Sequence, residues 1–326
     1  MLFSKASGLN DSVYGKSLYP IRKWMEERNE FWEARSKLAD IFGMDDIDTW
    51  CAKYGGMTSL GDMEPVGEGA AYPRGSMQEG YSKVLEPYEW KLSSELTQAM
   101  VEDNLLLSKG KLHGGNMVKS YHRIREKFGA AIFNNITATT FDLGGRTWDN
   151  TCWDGGAIAA TSHTSKVTGS ALANSDNYDT VVFSYDNLCA AEEKMQKFTD
   201  EDGNLVGIQP DTIIIPNNAP IKKLVMDSVL TESGRPGTTD HSTNIHAGRW
   251  NVVIWDMLSK GTATNDPWYL VDSEYAKEMG LFFLDRTPLQ VKQYVDENTD
   301  NLISKARARF IAGCADWRCL YASVPA

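Results

Sequence analysis

One stretch of the sequence limits what the chain can fold into more than any other. Residues 55–87, GGMTSLGDMEPVGEGAAYPRGSMQEGYSKVLEP, hold seven glycines and three prolines in 33 residues, with little apolar periodicity. A loop of this length is uncommon inside a compact domain and is usually functional or disordered. Because glycine permits tight turns, the stretch also suits an extended β excursion. Its GxG spacings lack the strand–loop–helix context of a dinucleotide site.

The overall composition excludes several classes of protein. The net charge of -11, from 33 basic and 44 acidic residues, argues against a globally basic nucleic-acid-binding protein. We expect no membrane helix, because no apolar run approaches about 20 residues. We expect no signal peptide, because the first residues, MLFSKASGLNDSVYG, lack its long apolar core. The five cysteines are odd in number and scattered, which favours a reduced cytosolic setting over a secreted disulfide framework. Ten tryptophans among 326 residues suit extensive buried contacts.

Two amphipathic helices are predicted on either side of the glycine-rich stretch. Apolar side chains, including Trp24 and Trp32, recur at broadly helical spacing in residues 18–50. This segment is either a core helix with a solvated face or an arm that packs on a neighbouring subunit. After a break predicted at Gly114-Gly115, residues 116–136 show a second helical period.

The second half of the chain alternates between strands and helices. The short apolar runs TVVF, DTIIIP, WNVVIW and WYLV predict strands, and two amphipathic segments between them predict helices, which indicates an α/β region. Residues 301–311, NLISKARARFI, fit a strand and a helix equally well by periodicity alone.

The motifs that usually carry chemistry are weak in this sequence. Cys314 and Cys319 have four intervening residues and no nearby histidine, so buried thiols packing a terminal strand are favoured over a zinc site. The other candidate ligands lie in unrelated segments: Cys152, His163, Cys189, His241 and His246. The most enzyme-like stretch is WDNTCWDGG, residues 148–156, whose tryptophans and aspartates are typical of carbohydrate clefts. We expect no catalytic residue, no metal and no cofactor.

Several stretches, taken in order, carry a resemblance to a known family. They are EPYEWKLSSELTQAMVEDN, AAIFNN, WDGGAIAATSHTSKVTGSALAN, DEDGNLVGIQPDTIIIPNNAPIKKLVMDSVL, NIHAGRWNVVIWDML, DPWYLVD and FFLDRTPLQVKQYVDENTDNLISKARARFIAGCADWRCLYAS. In this order the chain resembles the major capsid proteins of tailed phages, especially the Mu-type major head subunits. The likeness covers roughly three quarters of the chain and depends on segment order, and residues 1–55 show no clear match.

The resemblance implies the α+β Hong Kong 97 capsid fold. This fold has an N-terminal arm, an extended E-loop, a peripheral domain with a long spine helix and an antiparallel sheet, and an axial α/β domain. By analogy, the arm is 1–56, the E-loop 57–92, the spine-helix part of the peripheral domain 93–149, the axial domain 150–279 and the returning peripheral strands 280–326. The analogy favours the strand interpretation of NLISKARARFI.

The function that the resemblance implies is structural. A major capsid subunit self-assembles, as hexamers and pentamers, into the icosahedral head that encloses double-stranded DNA. The expected partners are further copies of the chain, DNA by non-specific contact, and portal, scaffold or decoration proteins. We expect assembly in the host cytoplasm, a final location in the virion, and no membrane contact. Permanent interfaces of this kind bury about 2,000–5,000 Å² or more, which suits arms and loops that leave the parent domain.

Particular residues are expected to form the subunit contacts. In the E-loop the candidates are Tyr72, Arg74 and Glu79, and in the arm they are Trp24 and Trp32. Trp317 is expected to anchor the C-terminal strand in the core. No lysine and asparagine pair for covalent cross-linking between subunits is assigned, so none is predicted.

Two basic groups are expected to carry interface or lumen charge. They are Lys119, Arg123 and Lys127 on the second helix, and Lys305, Arg307 and Arg309 on the C-terminal strand. The helical group lies in a window, 109–127, with a local charge of +5, and faces the lumen, a neighbour's acidic segment 62–68, or only solvent. The strand group is expected to bind an E-loop carboxylate such as Glu79.

Two alternatives stay open on the sequence alone. An encapsulin-type compartment shares the fold but encloses protein cargo, so the contents of the particle distinguish it from a phage head. A secreted carbohydrate-active protein built around Trp148, Asp149, Trp153 and Asp154 is a different class, which glycan-binding or hydrolase assays would reveal.

Overall fold

The computed structural model describes residues 13–57, 63–69, 71–74, 79–103, 106–165, 167, 169–231, 244–261 and 265–325. Within them the helices are α1 (Val13–Glu33), α2 (Leu38–Ile41), α3 (Gln98–Glu102), α4 (Leu106–Asn134), α5 (Tyr185–Gln196), α6 (Ala219–Leu230) and α7 (Ser273–Tyr275), with a π-helical turn at Ala276–Gly280 and a 3-10 turn at Trp317–Cys319. The strands are β1 (Gly43–Asp46), β2 (Ala52–Met57), β3 (Glu79–Leu85), β4 (Tyr88–Leu96), β5 (Thr140–Leu143), β6 (Arg146–Asp149), β7 (Tyr178–Asp179), β8 (Thr212–Pro216), β9 (Asn251–Trp255), β10 (Trp268–Val271), β11 (Leu281–Val295), β12 (Leu302–Cys314) and β13 (Leu320–Ser323).

A long antiparallel hairpin dominates the first sheet, whose strand order is β1-β11-β12-β4. The pairing of β11 with β12 runs from Leu281 opposite Cys314 to Val295 opposite Leu302, with register shifts near Thr287. Side chains of β12 alternate between buried and more exposed positions, as expected when one face of a strand packs on a core. The strand interpretation of NLISKARARFI is therefore confirmed.

Helix α4 packs across this sheet through aromatic side chains. Trp90 of β4 stacks on Phe310 of β12 at 5.3 Å between ring centroids, and on Trp148 of β6 at 5.6 Å. Phe128 of α4 meets the edge of Trp148 at 4.9 Å. Offset and edge-to-face pairs of this kind add about 0.5–1.5 kcal/mol each beyond their buried area. The rings therefore join α4, the sheet and the β5–β6 hairpin into one core.

The helix break predicted at Gly114-Gly115 is wrong, because α4 runs through both residues. A Cβ atom at Gly114 would lie 2.8 Å from the side chain of Met25, and one at Gly110 would lie 2.5 Å from Ile21. Both neighbours belong to α1, so the glycines allow the two helices to approach closely. Their lower helix propensity is offset by this packing.

Helix α1 is shorter than the amphipathic segment predicted for residues 18–50. It ends at Glu33, and the short α2 and strand β1 follow. Residues 43–46 pair in parallel with β11 from Phe282 to Asp285, so hydrogen bonding to the sheet replaces helix there. None of the helices in the described ranges is both long and apolar enough to cross a bilayer.

The second sheet has the strand order β7-β13-β10-β8-β9 and packs with α5 and α6. All five residues of β8 are buried, as its continuous apolar run predicts. Strand β13 lies between β7 and β10 in the second sheet. The segment 280–326 therefore contributes to both sheets, although the analogy placed all of it in the peripheral domain. The 3-10 turn at Trp317–Cys319 redirects the chain, and the Asp316 carboxylate caps it by accepting from Arg318 N at 3.0 Å.

Candidate functional site

Strands β2 and β3 pair as a hairpin that holds the two ends of the glycine-rich stretch against the first sheet. Strand β2 pairs with β3 from Ala52 opposite Leu85 to Met57 opposite Glu79. The ring of Tyr54 stacks on Phe282 of β11, with centroids 4.0 Å apart and planes 11° apart. A side chain in place of Gly313 would clash with Leu85, at 2.6 Å from the added Cβ.

A buried lysine adds a polar attachment to this base. Lys83 of β3 is 5% exposed, and its ammonium group donates to the Asp149 carboxylate and to the Thr151 hydroxyl at 2.9 Å. Burial alone would raise the pKa of Asp149, but the hydrogen bond and charge of Lys83 hold that pKa below its ordinary value. The hairpin is thus joined to the β5–β6 region as well as to β11.

The described part of the hairpin tip has no contact with the body that would bury it. Residues 63–69 and 71–74 are all exposed, which includes the predicted contact residues Tyr72 and Arg74. Met63 is 102% exposed and Tyr72 is 93% exposed, so large apolar groups stand in solvent. Glu79 lies at the first position of β3, opposite Met57, and its side chain is outside the described set. The role of Tyr72 and Arg74 in subunit contacts stays a prediction.

The two tryptophans predicted for the arm lie against α4 of the same chain. Trp24 and Trp32 are both partly exposed. The Arg28 guanidinium lies 4.4 Å from the Trp24 ring centroid, and the Lys119 ammonium lies 5.7 Å from that of Trp32. Trp32 also packs against the small core formed by α1, α4 and the sheet. The structure thus brings the two tryptophans together with one of the predicted basic residues, Lys119.

The basic window of α4 divides between a solvent face and a buried face. Lys119, Arg123 and Lys127 are exposed at four-residue steps. Arg125 points inward and donates to both carboxylate oxygens of Asp285 on β11, each at 2.7 Å. Sequence reasoning did not single out Arg125, although its place four residues after Tyr121 puts it on the apolar face of the helix. It is a structural ion pair between α4 and the first sheet.

The basic residues of β12 already have partners within the chain. Arg307 forms an ion pair with Glu89 of β4, and Arg309 donates to the carbonyl of Pro87 at 3.3 Å. The Lys305 ammonium lies 4.4 Å from the ring centroid of Tyr294. A neighbour's E-loop carboxylate would therefore compete with Glu89 for Arg307.

Trp317 lies in the main core and organises a buried polar cluster. Its side chain is 1% exposed, and the His163 ring stacks on it at 4.3 Å with planes 1° apart. The two ring nitrogens of His163 face Asp154 Oδ2 at 2.6 Å and Asn177 Oδ1 at 3.1 Å. The Asn177 amide also donates to the carbonyls of Ile158, Trp317 and Leu320. This network attaches residues 154–177 to the C-terminal segment, and sequence spacing gave no sign of it.

Three of the four tryptophans and aspartates of WDNTCWDGG have structural partners within the chain. Trp148 is 6% exposed within the aromatic core. The Asp149 carboxylate is bound to Lys83, and that of Asp154 is bound to buried His163. These contacts place Trp148 in the core and both carboxylates in ion pairs.

The cysteines are packing groups, as expected for Cys314 and Cys319. The sulfurs of Cys152 and Cys314 lie 3.6 Å apart, and both Cys314 and Cys319 contact the carbonyl of Asp316. All three thiols are buried and free. Elsewhere, Cys189 lies 3.1 Å from His246 Nε2, a contact between segments that sequence spacing left unrelated. His241 lies outside the described residues, and within those residues no group of three ligands suits a metal ion.

The fold and these surfaces define a class of protein. A two-stranded loop attached at its base, with exposed apolar groups among the described residues between its strands, suits a subunit that contacts other subunits. The arrangement is that of a shell subunit.

The comparisons with known proteins identify the family. Residues 114–323 match the family model described as phage capsid protein, which is more than half of the chain, so the chain belongs to that family. It is a major capsid subunit, a structural protein from which a phage builds its shell. No curated protein sequence matches the chain.

Solved structures agree on the fold, which is the Hong Kong 97 fold that the sequence predicted. The capsid of the cyanophage P-SCSP1u is similar with a TM-score of 0.53 at 10% identity, over 87% of this chain and 86% of that chain. The structure of Microbacterium phage Oxtober96 gives 0.52 at 11%, over 89% and 91%. The mature capsid of bacteriophage PhiM1 gives 0.51 at 12%, over 86% and 85%.

Proposed function

We propose that copies of this chain assemble, as hexamers and pentamers, into an icosahedral head that encloses double-stranded DNA, and that the chain has no catalytic activity. The observation that carries the proposal is the hairpin of β2 and β3, anchored at its base and exposed at its tip. Met63 and Tyr72 stand almost fully in solvent. Burying such side chains stabilises an interface by roughly 1.5–3 kcal/mol each. A neighbouring copy supplies the surface that buries them.

The segments of the chain take distinct roles in this proposal. Helix α1 is the N-terminal arm, α4 is the spine helix of the peripheral domain, and the second sheet is the core of the axial domain. The E-loop is the β2–β3 hairpin, residues 52–85, since β2 pairs with β3 along this length. Strand β4 then belongs wholly to the peripheral sheet, because it pairs with β12 over its full length. The predicted E-loop boundaries therefore differ: residue 57 is the last residue of β2, and residue 92 lies in β4.

The expected partners follow from the shell. Contacts with DNA are non-specific, since the net charge of -11 is unfavourable for tight binding over the whole surface. Portal, scaffold or decoration proteins complete the particle, assembly takes place in the host cytoplasm, and the product is the virion. In the arm, Trp24 and Trp32 stabilise the subunit through α4 and leave their exposed edges for a neighbour.

Negative-stain microscopy of the expressed chain tests the proposal. Uniform closed shells or tubes are expected from the wild-type chain at concentrations where a tip variant, Met63→Ser with Tyr72→Ser, stays unassembled. A matched control is Leu230→Ser with Leu205→Ser, which removes two exposed apolar groups outside the hairpin. A wild-type chain that remains a monomer, or tip variants that assemble as well as wild type, would contradict the proposal.

A further inference from the structure

A groove between α1 and α4 combines tryptophan rings with positive charge. Its floor is formed by Trp24 and Trp32 of α1 and by Gly115 of α4. Arg28, Lys111 and Lys119 line its walls, and no carboxylate of the described residues does. In a chain with a net charge of -11, a groove without acidic residues is a local reversal of charge. We call this surface the α1–α4 groove.

The cations of the groove are held by aromatic rings instead of by carboxylates. Arg28 lies 4.4 Å and Lys111 lies 5.9 Å from the Trp24 ring centroid, while Lys119 lies 5.7 Å from that of Trp32. A cation–π contact orients a charged group without neutralising it. Within the described residues none of the three forms an ion pair with a carboxylate. Their charges are therefore available to an anionic ligand.

The positive charge continues along α4 past the end of the groove. Lys111, Lys119 and Arg123 are separated by eight and four residues, which places them on one side of the helix over about 18 Å. The nearby Glu126 offsets one of these three charges, so the four residues together keep a net charge of +2. Its carboxylate already accepts from Ser36, from the Lys37 backbone and from the Trp255 indole.

An elongated positive surface favours a ligand with regularly repeated negative charge. Each strand of duplex DNA advances 3.4 Å per phosphate, so 18 Å corresponds to about five phosphates. The described part of the hairpin tip offers only Glu64 and Glu68 as acidic groups, which is a poorer match to the row. We propose that the α1–α4 groove and the row that extends it bind the phosphate backbone of duplex DNA, an inference that rests on the proposed enclosure of DNA.

Salt-dependent binding of a labelled 20-base-pair duplex to the full-length chain tests this inference. The groove variant carries Lys111→Gln, Lys119→Gln and Arg123→Gln. The plot of log affinity against log salt concentration becomes less steep by about 0.9 for each phosphate contact that is lost. The groove variant loses three such contacts. Between 50 and 200 mM salt, the affinity of the wild-type chain should therefore fall about 40-fold more than that of the variant. Fluorescence anisotropy measures both affinities.

A control variant separates a groove effect from net charge. Lys223→Gln, Lys260→Gln and Lys277→Gln remove three exposed lysines far from the groove in sequence, and this variant should keep the wild-type slope. Equal slopes for the groove and control variants, or no duplex binding by the wild-type chain, overturn the inference. So does a peptide of residues 60–70 that binds the groove in place of DNA. Thermal melts verify that each variant is folded.

Microscopy of the same samples keeps this inference distinct from the proposed function. If all variants form shells but share one salt slope, the groove assignment fails and the capsid proposal stands. If the groove variant shows the lower slope while no chain forms shells, the capsid proposal fails and the anion site stands.

Discussion

Removal of the Arg125 guanidinium should be one of the most damaging single changes at the contact between α4 and the first sheet. Only 11% of its side chain and 15% of that of Asp285 are exposed, and two hydrogen bonds of 2.7 Å join them. The guanidinium also lies 4.6 Å from the Phe283 ring centroid. Breaking a buried pair by removing one partner costs about 3–5 kcal/mol, because the other charge stays buried and unpaired. Arg125→Met should lose this much free energy of unfolding.

The loss should depend on pH in a defined direction. Burial raises the pKa of Asp285 above its ordinary value, even though Arg125 opposes that shift. Without Arg125 the pKa rises further. Since the folded-state pKa then lies above the unfolded one, the ionised carboxylate destabilises the fold at higher pH, and protonation relieves this as pH falls through the folded pKa. The deficit of Arg125→Met should therefore be smaller at pH 5 than at pH 7.5.

Urea unfolding of the unassembled chain, followed by tryptophan fluorescence, measures the effect. The double variant Arg125→Met with Asp285→Leu should recover most of the loss, because apolar replacement of a whole pair is often neutral. Arg123→Met, on the exposed side of α4, should stay within about 0.5 kcal/mol of wild type. A loss below about 1 kcal/mol, or no recovery in the double variant, would refute the reasoning.

Three further changes test other contacts. Gly114→Val should lower the free energy of unfolding by about 1–3 kcal/mol in thermal melts, because the added side chain overpacks against α1. Gly55→Val is the control and should cost less, because a Cβ added there meets nothing within 4 Å. Burial lowers the pKa of His122 to about 4, so the attachment of α1 to α4 should weaken as pH falls from about 6.5 to 4. Hydrogen exchange of α1 should become faster over this pH range. The acceleration should be smaller in His122→Gln. Lys83→Met should reduce shell yield in microscopy with little change in circular dichroism, since it loosens the hairpin base at Asp149.

Sequence periodicity was sufficient to predict those elements whose buried face appears directly in the spacing of apolar residues. The long period of α4 and the buried run of β8 both appear as predicted. It failed at Gly114, because a helix-breaking propensity is overridden where close packing with α1 requires a missing side chain. It also failed for residues 43–46, where pairing with β11 is a long-range event that local composition does not encode.

The candidate site was predicted in part for the same reason. The glycine-rich composition of residues 55–87 identified an excursion. Tyr72 is exposed there, and its role as a contact residue stays a prediction. The attachment of its base through Lys83 and Tyr54 was not foreseen, since each binds a residue far away in the sequence. The basic window around Lys119 was found from the sequence. Its position beside the tryptophans of α1 could not be, because it results from the packing of two helices.

The position of β13 has a consequence for how the subunit is made. The second sheet receives this inner strand only after synthesis has reached residues 320–323, although its other strands begin at Tyr178. A nascent chain interrupted earlier leaves the facing edges of β7 and β10 open, and open edges invite aggregation instead of orderly growth. Synthesis of residues 320–323 is therefore required before this sheet can close between β7 and β10.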